Sequence, residues 1–140
     1  MIRIIIVLLL WSTSAFADVK IYEHTYRNIE VGFTPIHEVL ERFGKPIKIT
    51  EYDDNIHYLF SGVKVTALKS TGKVSTIAIH KKSYVDSNGI GVGFDKVKLE
   101  SKFRVKIKNN YFVDETDGIV YWLKDNRVQK IVLVRKLKVS

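Results

Sequence analysis

Residues 29–46, IEVGFTPIHEVLERFGKP, carry a helix together with its own start and stop signals, and residues 90–103, IGVGFDKVKLESKF, repeat its opening. A duplicated phrase constrains a short chain strongly, because it asks for two similar building blocks inside one small domain. In the first copy Thr34 is placed to cap the helix and Pro35 to fill the first helical position, where its missing N–H costs nothing. Ile36, Val39, Leu40 and Phe43 then recur at helical spacing on one face. Gly44 stops the helix and Pro46 prevents its return, so the spacing predicts about ten helical residues. In the second copy Val92-Gly93-Phe94 answers Val31-Gly32-Phe33, and Asp95 answers Thr34. Its apolar positions, Val97, Leu99 and Phe103, are less regular and no glycine follows them, which predicts a shorter or distorted helix.

A run of short strands comes after each helix as well. After the first, residues 47–52, 56–60, 63–68 and 74–80 read as strands separated by Asp53-Asp54-Asn55, Ser61-Gly62 and Ser70-Thr71-Gly72. After the second, residues 105–108, 111–113, 119–123 and 128–137 read likewise, with turns at Asn109-Asn110, around Asp117-Gly118 and at Asp125-Asn126. The expectation is an α+β fold of two tandem helix-plus-antiparallel-meander units, at about 27–81 and 88–137, sharing one core. Each helix is too short to cover a sheet alone. Residues 81–88 form the hinge between the units, and residues 19–26 add a leading strand.

Residues 1–17 read as an export signal: Arg3 gives the positive start, residues 4–11 the apolar stretch and Ala15-Phe16-Ala17 the cleavage rule. The apolar run breaks at Ser12, short of the about 20 residues that span a bilayer. The expected product is one periplasmic or secreted domain, residues 18–140, soluble after cleavage and without a transmembrane segment. Cysteine is absent, so disulfides, thiolate nucleophiles, thiolate metal sites and a lipobox anchor are all excluded. The formal charge of +8 directs attention to acidic protein surfaces, anionic lipid or lipopolysaccharide, since an exported chain does not meet nucleic acid.

The run Val31-Gly32 through Phe43-Gly44 and Pro46, with a meander after it ending in GKVSTIAI at residues 72–79, resembles the small periplasmic proteins of the BamE/SmpA type. Their helix-plus-meander unit is similar to the one found in tandem in beta-lactamase inhibitory proteins. The resemblance implies protein–protein binding in the cell envelope, without catalysis or a cofactor. It also raises the alternative of a secreted inhibitor or effector that blocks an enzyme. The chain departs from these families in having neither a lipobox cysteine nor the cysteines for disulfides.

Motifs for chemistry are weak. The glycine run at residues 89–93 precedes a helix, but Phe94 takes the sixth position of a dinucleotide fingerprint and Glu30 answers Gly91 in the echo. His24, His37, His57 and His80 lack metal-ligand spacing, no serine sits in G-x-S-x-G, and residues 114–118 lack the order of a calcium loop. A small metal-binding protein or hydrolase therefore has no motif behind it, and no catalytic or metal residue is assigned. Basic residues crowd Lys96 to Lys108 without having to share a face. The aromatic residues are the better lead: Tyr121 and Trp122 are neighbours on one strand and must point to opposite faces. With Lys124, Arg127 and Lys130 nearby, an exposed member of that pair makes a protein-binding anchor with a basic rim.

Overall fold

The computed structural model describes residues 26–135; the expected export signal, most of the expected leading strand and residues 136–140 lie outside them. In chain order the elements are α1 (Ile36–Phe43), β1 (Lys48–Tyr52), β2 (Asn55–Phe60), β3 (Val63–Leu68), β4 (Val74–Ile79), α2 (Lys96–Phe103), β5 (Tyr111–Asp114), β6 (Ile119–Lys124) and β7 (Arg127–Leu133). All seven strands form one antiparallel sheet in the order β1-β2-β3-β4-β7-β6-β5.

That sheet corrects the expected fold class. The described residues are mostly β, with two helices of eight residues each among them, and not an α+β pair of helix-plus-meander units. The reason lies at the centre, where Ile77, Ala78 and Ile79 of β4 pair with Leu133, Val132 and Ile131 of β7. Left apart, these apolar edges would each expose a row of unpaired N–H and C=O groups. Zipped together they place the buried ends of β4 and β7 in the middle of a single sheet. A second correction concerns residues 105–108, which form no strand. Their backbone is held by the preceding helix: Val105 N–H donates to the Glu100 carbonyl and Ile107 N–H to the Glu100 carboxylate at 2.7 Å, while the Ile107 side chain is buried.

Both helices lie on one face of the sheet. Val39 is the buried residue of α1 and Leu99 that of α2, with Phe43 edge-on to Phe60 and Phe103 against Phe112 and Tyr121. The phrase and its echo do the same local task. Gly32 N–H donates to Val74 O and Gly93 N–H to Val128 O, both at 2.7 Å; Ile36 N–H donates to Gly72 O and Lys96 N–H to Asn126 O, both at 2.8 Å. Each helix start is thereby pinned to the hairpin that comes after it. These bonds also correct the expected cap. Pro35, in extended conformation, is the N-cap residue and answers Asp95, while Thr34 is an extra residue whose Oγ1 accepts from Glu30 N–H at 2.8 Å. No helix among the described residues is long and apolar enough to cross a membrane.

Candidate functional site

Strand register divides the side chains cleanly between two faces. Tyr58, Val65, Ile77, Leu133 and Ile119 point toward the helices and are buried. The opposite, outer face carries the rows Lys48, Leu59, Lys64, Ala78, Val132, Val120, Val113 and, at one end, Lys130, Trp122, Tyr111. No described helix packs on that side. Only two carboxylates occur in the seven strands, Glu51 and Asp114, and both fall on the helix side, in register with Ile56 and Ile119. The outer strand positions hold Lys48, Lys64, Lys124, Arg127 and Lys130 with no acid among them.

Tyr121 and Trp122 part company as alternation requires. Trp122 is half-buried on the outer face, its ring 5.5 Å from that of Tyr111 across β5 and β6, and Lys130 Nζ lies 5.5 Å from its centroid. Tyr111 and Val113 are 41% and 38% exposed, enough to meet another surface. Lys124 and Arg127 flank the β6–β7 turn, and Arg127 Nη1 donates to Gly93 O at 3.0 Å, so its guanidinium is held toward the start of α2. Of the five anticipated site residues, Trp122 and Lys130 are in contact. Lys124 and Arg127 lie at the same edge, and Tyr121 is in the core on the far side.

Tyr121 instead closes a buried polar cluster. Its hydroxyl donates to Asp86 Oδ2, and it accepts from Asn88 Nδ2 at 3.0 Å; the same Asn88 amide donates to Asp114 Oδ2 at 2.9 Å. The other Asp86 oxygen accepts from the N–H groups of Asn88 and Ile90. Burial pushes the Asp86 carboxyl above its usual range against the opposing pull of these hydrogen bonds, and Asp114 adds to the rise. Burial and the neighbouring Asp86 push the Tyr121 phenol up as well. Asp86 and Tyr121 are both fully inaccessible, and the cluster fastens the segment between β4 and α2 to the sheet. No local motif signals this cluster, because Asp86 and Asn88 meet Asp114 and Tyr121 from a distant part of the chain.

His57 and His80 do not converge. His57 Nδ1 is 2.8 Å from Thr66 Oγ1 on the outer face, in the row that ends at Thr76; His80 lies four residues further along, about 13 Å at strand rise. Burial holds the His80 imidazole below its usual value, with Lys130 and Lys64 adding to the effect. Among the described residues no group of three metal-ligating side chains is found. No protein-family model matches the chain, and comparison with the curated proteins and with the solved structures yields no match.

Proposed function

We propose that this chain is a non-catalytic binding protein of the cell envelope that docks an acidic protein surface on the outer face of its sheet. The observation that carries the reading is the composition of that face: an aromatic pair, Tyr111 and Trp122, beside an apolar row and four lysines, Lys48, Lys64, Lys124 and Lys130, with every strand carboxylate on the other side. Aromatic anchors ringed by polar residues concentrate binding energy at protein interfaces, and a one-signed rim speeds encounter with the opposite sign. The export signal read in residues 1–17 and the resemblance of residues 31–46 to envelope binding proteins support the compartment.

Photocrosslinking in the cells that make the protein tests the reading. A benzophenone side chain at Val113 or Trp122 should give a discrete adduct with an acidic protein, lost at high salt, while one at Val97 on the helix side, 67% exposed, should not. Equal adducts from Val97, or none from either outer position, would overturn it. Trp122→Ala should abolish the adduct formed from Val113 and leave the melting temperature nearly unchanged, since the ring is only half-buried.

A further inference from the structure

On the helix side, away from Trp122, a cleft of about 350 Å³ opens between the turn at residues 26–29, the end of α1 and the β2–β3 turn. That volume lies at the small end of ligand-binding clefts, about 300–1,000 Å³. Arg27, Arg42, Lys45 and Lys81 line it, Phe43 and Phe60 form its apolar wall in an edge-to-face pair 5.2 Å apart, and none of the lining residues is acidic. Among the described residues, Arg42 alone of the four cations has an ion pair, with Glu38 at 3.5 Å.

Three of the four cations are held in place by contacts. Arg42 Nη1 donates to the carbonyls of Arg27 and Asn28 at 3.2 and 3.1 Å, which ties the end of α1 to the turn. The Tyr26–Ile29 turn is closed by reciprocal hydrogen bonds and puts both Arg27 and Asn28 at positive φ, 50° and 64°. A two-residue turn of this kind favours Asn-Gly, so an arginine at its first central position is held against its backbone preference. The consequence is a guanidinium 5.7 Å from the Phe43 centroid and 5.8 Å from that of Tyr26, at the edge of the apolar wall. At the far side Lys81 lays its stem on Gly62, where an added Cβ would stand 2.6 Å from Lys81 Cγ.

We propose that this cleft binds a small amphipathic anion: a carboxylate, phosphate or sulfonate head among the four cations and a short apolar body on Phe43 and Phe60. An anionic head is attracted by the cations that line the cleft, while the aromatic wall selects for an apolar tail. The site is independent of the outer face, so either assignment can fail without the other.

Calorimetric titration of the purified protein with decanoate, below its micellar range, tests it. One saturable site is expected, weakened several-fold between low and physiological salt. Decyltrimethylammonium, with the same tail and the opposite charge, should not bind, and inorganic phosphate should bind at least about tenfold more weakly than decanoate because it leaves the wall uncovered. R27N/K45E should weaken decanoate binding by about tenfold or more without loss of thermal stability, because Asn is tolerated at positive φ better than Arg. Trp122→Ala should bind decanoate as the parent does. Unaltered binding in R27N/K45E, equal affinity for phosphate, or no saturable binding would overturn the proposal. So would binding seen only with phosphatidylglycerol vesicles, which would place the anion in a bilayer and not in solution.

Discussion

Tyr84 and Asp86 stand two residues apart, both buried, and illustrate opposite ways of placing a polar group in a core. Both oxygens of the Asp86 carboxylate are engaged, whereas among the described residues the Tyr84 hydroxyl has no hydrogen-bond partner and its ring packs edge-on to Tyr26 at 5.6 Å. An unmet buried hydroxyl costs about 1–3 kcal/mol, and removing a partner from a satisfied network costs a similar amount. Tyr84→Phe should therefore raise the urea midpoint, by about 1 kcal/mol in unfolding free energy, with an unchanged slope. Tyr121→Phe should lower it by about 1–3 kcal/mol, since it leaves Asp86 and Asn88 short of a partner. A fall in stability for Tyr84→Phe would show that its hydroxyl is satisfied in solution. Half of this arrangement is legible in the sequence. Adjacent aromatics at 121 and 122 have to face opposite ways because strand side chains alternate, but which of them faces inward depends on a partner, Asp86, thirty-five residues away.

At the scale of elements, the two helices end by different chemistry at equal length. Gly44 closes α1 at φ 79°, while Arg104 closes α2 in the left-handed region at φ 54°, with its N–H on Glu100 O. That difference is legible as a glycine after Phe43 and none after Phe103. It predicts a weaker second helix, whereas the structure shows the full eight residues with an arginine forced into the cap. A non-glycine residue there carries a steric cost, so Arg104→Gly should stabilise the protein by about 0.5–1 kcal/mol, read as a rise in melting temperature. No gain, or a loss, would mean that the Arg104 side chain contributes contacts worth more than the strain. Residues 105–108 escape sequence reasoning for a related reason. Alternation in Val105-Lys106-Ile107-Lys108 satisfies a strand pattern as well as it does an irregular segment, and the choice falls to Glu100, whose side chain takes the Ile107 N–H that a strand neighbour would need.

For the whole molecule, the joint between β4 and β7 decides how the chain behaves. The turns that separate the strands can be read from Asp, Asn and Gly, and they hold: Asp125 and Asn126 both adopt positive φ at the β6–β7 turn, and Gly62 does so between β2 and β3. The pairing of β4 with β7 cannot be read, because no local signal says which of several Ile- and Val-rich strands will meet across some fifty residues of intervening chain. Once they do, Ile131 sits between Ile79 and Tyr121 in the central row, fully buried, and each set of strands takes the other as its missing neighbour. Unfolding should then be a single event: one calorimetric transition whose measured enthalpy equals its van't Hoff enthalpy. Ile131→Ala should lower stability by about 2–5 kcal/mol through the lost packing and the cavity left behind, and should shift that one transition without splitting it. Two separable transitions, or a variant in which only residues 105–135 lose amide protection while 36–79 keep it, would mean that the sheet is continuous in geometry but not in energy, and that the strands on either side of the joint are stable without each other.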